Sequence, residues 1–247
     1  MATLINRLLA RLGYRYYKIR YQPFGIDHAL DVRRFLEPNG RVSVVFDVGA
    51  NEGQSAKMYA EQFPEAIVYS FEPVATTFAK LVANTRDCEH VKTFQIAFGD
   101  EVAELDIWLS DKSVTNSLKC QTSANSSGRT ERVRVTTLDT FVTERCVERI
   151  DLLKIDTEGF DLEVLRGARN MLAAGRITFI LVEITFNQQD TFHTPFHRVE
   201  AYLDLFGFEF VDLYDQDYAS YSPRRPPLAY CNALFYHSRP GSSRGFR

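Results

Sequence analysis

Short apolar runs alternate with stretches of helical spacing along most of the chain. Five runs have the length of buried strands, and the segments that follow the first, second and fourth runs repeat their apolar positions every three to four residues. The runs are Ser43–Val48, Ala66–Phe71, Val91–Ile96, Ile150–Ile155 and Thr178–Ile184. Buried strands that alternate with helices predict an α/β fold with a mainly parallel, doubly wound, Rossmann-like sheet and helices on both faces.

Two further pairs of segments depart from this alternation. Glu104–Leu109 and Glu131–Thr136 alternate apolar and polar residues with a period of two, which predicts an inserted β-hairpin. The polar stretch Lys119–Arg129 between them predicts a mobile loop. Phe208–Leu213 and Asn232–His237 predict a final strand pair, joined by a long connection rich in Tyr, Pro and Arg.

The N-terminus carries apolar positions at helical spacing, interrupted by Arg7 and Arg11, and has no acidic residue among its first twenty. This pattern predicts a helical extension over residues 1–41. The helix either packs on the domain or lies on an anionic membrane surface. One domain over residues 42–237 and a flexible tail over residues 238–247 complete the predicted organisation.

The composition is that of a globular enzyme. With 247 residues, 45% of them hydrophobic and 25% charged, the chain can form one large domain with a substantial core. A net charge of -3 gives no argument for a nucleic-acid partner, and no apolar run approaches the roughly 18 residues that span a bilayer. Four cysteines without a CxxC pair predict reduced thiols in a cytoplasmic protein, with peripheral contact to the inner membrane face as the alternative.

Three features predict a cofactor site at the carboxyl ends of the first three strands, where open parallel sheets bind ligands. A glycine turn follows the first strand, an acidic residue ends the second where it can accept both hydroxyl protons of a ribose, and a short polar turn follows the third. The candidate residues are Asp47, Gly49, Ala50, Asn51, Gly53, Gln54, Ser55, Glu72, Pro73, Ala97, Phe98, Gly99 and Asp100. The turn is not the GxGxxG of dinucleotide folds, so a smaller nucleoside with an amino-acid tail fits better.

Several motifs together resemble those of the FkbM-type methyltransferases. They are FDVGANEGQ (46–54), SFEP (70–73), TTLD (136–139), DLLKIDTEGFDLEVLRGA (151–168), ILVEI (180–184) and NALFY (232–236). The resemblance covers most of the chain, and the KIDTEG block is its most specific part. It implies a seven-stranded methyltransferase sheet, S-adenosylmethionine as the methyl donor, and O-methylation of a sugar, glycolipid or other natural-product hydroxyl.

The candidate catalytic residues cluster after the fourth and fifth strands. Lys154 and Asp156 share one face of a strand, and a lysine in that apolar run needs a partner, either Asp47 or Glu183. We interpret Lys154 as an organiser of the site, with direct catalysis as the alternative. Asp156, Glu158 and Glu183 are candidates for contact with the acceptor hydroxyl, and Asp156 and Glu183 also for a Mg²⁺ ion that would acidify it. His193 and His197 are candidate bases near neutral pH.

Two other functions compete with methyl transfer. An NAD(P)-dependent oxidoreductase uses a similar sheet, but the altered glycine turn and the KIDTEG block argue against it. A non-catalytic nucleotide-binding protein would not need so many charged residues at the strand ends. The sequence makes no prediction for the oligomeric state.

Overall fold

The computed structural model describes residues 22–36, 41–109, 118, 129–190, 192–218 and 228–237. The strands are β1 (Val44–Val48), β2 (Ile67–Phe71), β3 (Val91–Phe94), β4 (Ala97–Phe98), β5 (Ala103–Trp108), β6 (Thr130–Thr136), β7 (Ile150–Ile155), β8 (Ile177–Ile184), β9 (Phe208–Tyr218) and β10 (Leu228–His237). Seven of them form one sheet in the order β3-β2-β1-β7-β8-β10-β9. β10 runs in the direction opposite to the other six strands, which are parallel to one another, so the mainly parallel sheet predicted from the sequence is confirmed.

Helices cover both faces of this sheet. They are α1 (His28–Leu36), α2 (Gln54–Gln62), α3 (Ala75–Thr85), α4 (Leu138–Glu144), α5 (Asp161–Arg166), α6 (Arg169–Ala173) and α7 (Phe196–Asp204). Alternate strand residues belong to opposite cores: Val45 and Leu152 pack with residues of α1 and α2, whereas Phe46 and Leu153 pack with residues of α4 to α7. The strand order reverses between β1 and β7, which places a crevice at the carboxyl ends of those strands.

The structure corrects two element boundaries. The predicted third strand ends at Phe94, because Ala97–Phe98 pairs with β6 and leaves the main sheet. The stretch of helical spacing after the fourth run, Asp161–Leu172, forms two separate helices, α5 and α6, with the break at Gly167. Close packing requires glycine at this position, because a Cβ on Gly167 would lie 2.0 Å from the carbonyl oxygen of Gly99.

The inserted hairpin is part of a second, three-stranded sheet. β5 and β6 pair in antiparallel fashion, as the alternating pattern predicts, and β4 adds a parallel partner to β6. Val133 and Val135 point into a small apolar cluster with Val74, which ties this sheet to the start of α3. Most of the predicted loop Lys119–Arg129 lies outside the described residues, as do residues 219–227 of the predicted connection between the last two strands.

Of the predicted N-terminal extension, the structure describes residues 22–36 and 41, and these contain α1. Ala29 and Val32 of α1 are buried in the core that covers β1 and β8, so this helix belongs to the packed body of the protein. The boundary at residue 41 stays a prediction, and the amphipathic segment of the first twenty residues and the tail over 238–247 lie outside the described residues. Within the described part, no helix is long and apolar enough to cross a membrane.

Candidate active site

The strand ends bring the predicted polar residues to one face of the sheet. Asp47 of β1 lies opposite Lys154 of β7, and Glu183 of β8 lies opposite Asn232 of β10. Because side chains alternate along a strand, Asp47, Lys154 and Asp156 all project to the face that carries α1 and α2. The candidate site is therefore one polar rim along the edge of the sheet that is formed by the carboxyl ends of β1, β7 and β8 and by the amino end of the antiparallel strand β10.

The glycine turn after β1 requires glycine for two separate reasons. Gly49 has φ +78° and Gly53 has φ +94°, both in the left-handed region that favours glycine. In addition, a Cβ on Gly49 would lie 1.8 Å from the carbonyl oxygen of Asp156. The N–H groups of Gly49 and Ala50 both donate to the carbonyl oxygen of Phe71, at 3.1 and 2.9 Å. The turn thus holds the ends of β1, β2 and β7 close together. We call this backbone surface the floor of the site.

Glu72 follows β2 and turns its carboxylate toward this floor. Its side chain is 7% exposed, and its Oε1 accepts a hydrogen bond from the N–H of Val74 at 2.9 Å. Burial raises the pKa of Glu72 to about 7, although the N–H groups of Val74 and Asn51 work against that shift by donating to the carboxylate. The group is therefore fixed in place and changes its charge near neutral pH.

Lys154 is the cation at the centre of the rim. Its Nζ lies 3.1 Å from Oδ2 of Asp156 and 3.3 Å from Oδ1 of Asp47, and it donates to the carbonyl oxygen of Gly49 at 3.3 Å. Burial lowers the pKa of Lys154, but the carboxylates of Asp156 and Asp47 outweigh it, so the pKa is raised and the amine stays charged. Of the two partners predicted for Lys154 from the sequence, Asp47 is the one that contacts it in the structure. Asp156 is a further partner.

Asp47 is fully buried beneath this lysine. Its Oδ2 accepts a 2.7 Å hydrogen bond from Oγ of Ser55, while its Oδ1 has the ionic contact with Lys154 but no hydrogen bond of good geometry. Ser55, predicted to bind the cofactor, therefore has a structural contact of its own. The ion pair of Asp47 and Lys154 therefore connects β1 to β7 at the edge of the sheet where the candidate site lies.

A second group of titratable side chains lies around Glu183. His193 places its Nε2 3.6 Å from Oε2 of Glu183 and its Nδ1 2.8 Å from Oδ2 of Asp190. Burial, with the carboxylates of Asp156 and Asp161, raises the pKa of Glu158 to about 9. Burial, with the carboxylates of Asp156 and Glu158, raises the pKa of Glu183 to about 10.

Asp161 holds the two loops that carry this group. It is 1% exposed, and its Oδ1 accepts from the N–H and the hydroxyl of Thr157 at 2.9 and 2.8 Å. Its Oδ2 accepts from the hydroxyl of Thr194 at 2.7 Å. Asp161 thus fixes the loop of Glu158 to the loop of His193. Sequence reasoning missed this role, because a carboxylate at the start of a helix is ordinarily read as a favourable dipole contact.

Other residues of the rim also escaped prediction. The ring of Tyr230 stacks on that of His193 with centroids 4.4 Å apart. Asp190 forms a hydrogen bond with the imidazole of His193. His28, at the start of α1, accepts or donates a 3.1 Å hydrogen bond with the hydroxyl of Tyr59 and lies 3.9 Å from Asp215. Burial lowers the pKa of His28, opposed by Asp215. No motif marks these positions, since each depends on contacts between distant segments.

The remaining candidates take separate places. Phe98 is buried in the aromatic core against Phe71, with ring centroids 4.7 Å apart, so its side chain is not available for a ligand. Ala97 and Gly99 are also buried, whereas Asp100 and Gln54 are exposed and Pro73 is half-buried. His197 lies on the exposed side of α7, away from the paired His193.

The strand order, with its single antiparallel strand, and the glycine turn and acidic residue after β1 and β2 define a Rossmann-like S-adenosylmethionine-dependent methyltransferase. The Methyltransferase FkbM domain matches residues 47–210 of this chain. The chain belongs to that family, as the sequence motifs predict.

Two relatives and one solved structure illustrate the similarity. The 2-O-methyltransferase NoeI of Sinorhizobium fredii is 25% identical over 182 residues, which cover 68% of this chain and 73% of NoeI. The hexuronic acid methyltransferase AglP of Haloferax volcanii is 28% identical over 153 residues, which cover 62% of this chain and 60% of AglP. The methyltransferase domain of METTL16 has a TM-score of 0.51 at 10% identity, over 86% of this chain and 66% of that one, and so shares the fold.

Proposed function

We propose that this methyltransferase transfers the methyl group of S-adenosylmethionine to a hydroxyl oxygen of a sugar, a glycolipid or another hydroxyl-rich natural product. The observation that carries the proposal is the polar rim at the ends of β7 and β8, directly beside the glycine turn. Its carboxylates and imidazole are hydrogen-bonding partners for hydroxyl groups. The names of NoeI and AglP, a 2-O-methyltransferase and a hexuronic acid methyltransferase, support a carbohydrate acceptor.

In the proposed complex, the donor lies over the glycine turn. The backbone from Gly49 to Gly53 faces its amino-acid tail, Glu72 accepts from the two ribose hydroxyls, and the turn at Gly99 and Asp100 lies beside the adenine. The buried, backbone-anchored carboxylate of Glu72 supports this placement, because a fixed acceptor loses little entropy when the ribose binds.

The proposed reaction is an in-line displacement at the sulfonium carbon. The acceptor oxygen forms its bond to the methyl carbon as the carbon–sulfur bond breaks, and S-adenosylhomocysteine leaves. A hydroxyl oxygen needs to lose its proton, and Asp156 is the proposed proton acceptor, oriented by its contact with Lys154. His193, held by Asp190, is the alternative base.

The sequence also suggests a magnesium ion on Asp156 and Glu183. The position of Lys154 argues against that arrangement, since its ammonium lies 3.1 Å from Asp156 and a divalent cation on the same carboxylate would be repelled. We therefore assign Asp156 to the acceptor hydroxyl in the proposal.

The experiment that tests the function has two steps. Calorimetry compares the binding of S-adenosylmethionine with that of NAD, and we expect only the former to bind. Mass spectrometry then follows methyl transfer to a panel of neutral sugars, amino sugars and hexuronates, and to glycans and glycolipids of cells with and without the protein. Binding of NAD alone would favour the oxidoreductase alternative, whereas donor binding without transfer to any hydroxyl would favour a non-catalytic protein.

A peripheral membrane contact through the first twenty residues is a further part of the proposal. Their arginine and lysine side chains without acidic neighbours support attraction to anionic lipids. Co-sedimentation with vesicles of anionic and of neutral lipids tests it. A protein that sediments with neither kind of vesicle, or equally with both, would contradict it.

We expect the change Glu72→Ala to weaken donor binding by about 100-fold or more, because it removes two hydrogen bonds to a charged acceptor at ~1.5–3 kcal/mol each. Glu65→Ala is the matched control, since Glu65 is exposed and pairs with the exposed Arg41. Calorimetry in which both variants bind like the wild type would place Glu72 outside the donor site.

The same carboxylate predicts a pH dependence of donor binding. The ribose hydroxyls donate to the ionised form, and the pKa of Glu72 near 7 means that this form is lost as the pH falls through neutrality. We expect the affinity to rise by up to about tenfold between pH 6 and pH 8. Glu72→Gln should make the affinity nearly independent of pH, and a profile that this change leaves intact would point to another group.

We expect Asp156→Asn to reduce kcat by about 10²–10⁴-fold, the usual contribution of a positioned base. Donor affinity should change little, because the proposed contact is with the acceptor. Asp87→Asn is the control, since Asp87 is exposed on the surface. Full turnover in Asp156→Asn would make His193 the better candidate for the base, and His193→Gln would then be the next variant to assay.

A further inference from the structure

Three side chains from separate segments converge beside the proposed acceptor position. Glu158 comes from the loop after β7, Glu183 from the end of β8, and His193 from the loop before α7. One ligand atom from each lies within 4.8 Å of the other two. Atoms that share a metal at about 2.1 Å are at most about 4.2 Å apart, so small side-chain rotations would bring all three onto one ion.

The imidazole of His193 is arranged as metal-bound histidines usually are. Such histidines direct one ring nitrogen to the ion and the other to a carboxylate. Here Nδ1 contacts Asp190 at 2.8 Å, which leaves Nε2 facing Glu183. Asp190 is itself fixed, because its Oδ1 accepts from the N–H groups of Phe192 and His193 at 2.8 and 3.1 Å. The stacked ring of Tyr230 holds the imidazole plane.

The two glutamates lie on segments that other contacts hold in place. Glu158 has φ +54° in a turn that Asp161 ties to Thr157 and Thr194. Glu183 stands on a central strand of the sheet, with its side chain 14% exposed. Lys154, the cation of the rim, has its contacts with Asp47 and Asp156 instead. The result is a group of two carboxylates and one imidazole, which offers a cation two oxygen ligands and one nitrogen ligand.

We propose that Glu158, Glu183 and His193 bind a divalent transition-metal ion such as Mn²⁺. The two carboxylates suit Mn²⁺, and the imidazole nitrogen suits transition metals such as Fe²⁺ or Zn²⁺ better than Mg²⁺, which prefers oxygen ligands and keeps its waters. The ion's open position can take the acceptor hydroxyl and lower its pKa, and the proton then passes to Asp156. This catalytic role rests on the proposed function, whereas the binding of the metal does not.

The first test measures metal binding alone, on chelator-treated full-length protein without donor or acceptor. We titrate this protein with Mn²⁺ and monitor binding by the loss of the electron paramagnetic resonance signal of the free ion. The titration should show one site per chain. Glu183→Gln and Glu158→Gln should each weaken binding by at least about tenfold, and Asp190→Asn by about 10–100-fold through the orientation of His193. Glu209→Gln, an exposed residue of β9, is the control and should bind like the wild type.

Thermal denaturation of each variant checks that it is folded, and Mn²⁺ should raise the melting temperature of the wild type and of Glu209→Gln only. Absence of a stoichiometric site, or equal binding in Glu183→Gln and Glu209→Gln, would overturn the proposal. The two proposals can fail separately. Methyl transfer that persists in a protein without Mn²⁺ binding removes the metal and keeps the enzyme function, whereas one tight site without transfer to any hydroxyl keeps the metal and removes the function.

Discussion

Gly49→Val should abolish the binding of S-adenosylmethionine, and Gly49→Ala should already weaken it by more than about 100-fold. Any Cβ at this position lies 1.8 Å from the carbonyl oxygen and 2.8 Å from the carbonyl carbon of Asp156. The clashing atoms are backbone, so no side-chain rotation can relieve the contact. The end of β1 would have to separate from the end of β7, and the floor of the donor site would open. Calorimetry with the purified variants measures the loss.

The positive φ of Gly49 adds a strain that has to be distinguished from the clash. Gly207→Ala is the matched control, because Gly207 has φ +76°, close to the +78° of Gly49, and the nearest atom to its Cβ would be Nε2 of His237 at 3.9 Å. We expect this control to lose about 1–2 kcal/mol of stability from the left-handed backbone alone and to bind the donor normally. Normal donor binding by Gly49→Ala would contradict the assignment of the turn.

The strands of the main sheet could be predicted because burial on both faces produces continuous apolar runs. Ile150–Ile155 has the predicted bounds, and β1, β2 and β8 differ from their predicted bounds by one residue at one end. The glycine turn could be predicted because Gly49 and Gly53 follow such a run. The packing at Gly167 could not, because its contact is with Gly99, 68 positions earlier in the chain. Helical spacing alone continues through that glycine.

The candidate site also has residues that could be predicted from the sequence and contacts that could not. Its motif residues, such as Lys154 and Glu72, could be predicted from charges that interrupt or end apolar strands. A buried lysine needs a counter-charge, and Asp47 was one of two acids at neighbouring strand ends. The contacts of Glu183 could not be predicted, because its partner His193 reaches it from a loop whose conformation is set by Asp190. Loops of this kind carry no periodicity that a sequence pattern can report.

The contacts of Lys154 explain the position of this amine among the acids of the described site. Asp47 is completely buried, so its charge depends on Lys154 and on the hydroxyl of Ser55. Asp156 is half-buried and faces the crevice with one oxygen engaged by the same amine. Lys154 therefore serves two purposes, since it compensates a structural carboxylate below the site and orients a proposed reactive one within it.

Lys154→Met should consequently destabilise the protein by about 3–5 kcal/mol, because it leaves Asp47 buried without its compensating charge. For a chain of this size, that loss lowers Tm by roughly 10 °C. Adding Asp47→Asn should restore part of the stability, since the pair is then neutral, whereas two independent residues would show additive losses. Chemical denaturation of both single variants and the double variant measures this coupling. If Lys154→Met instead melts like the wild type but has lost turnover, the amine acts on the reaction itself, and the ion pair with Asp47 contributes little to the fold.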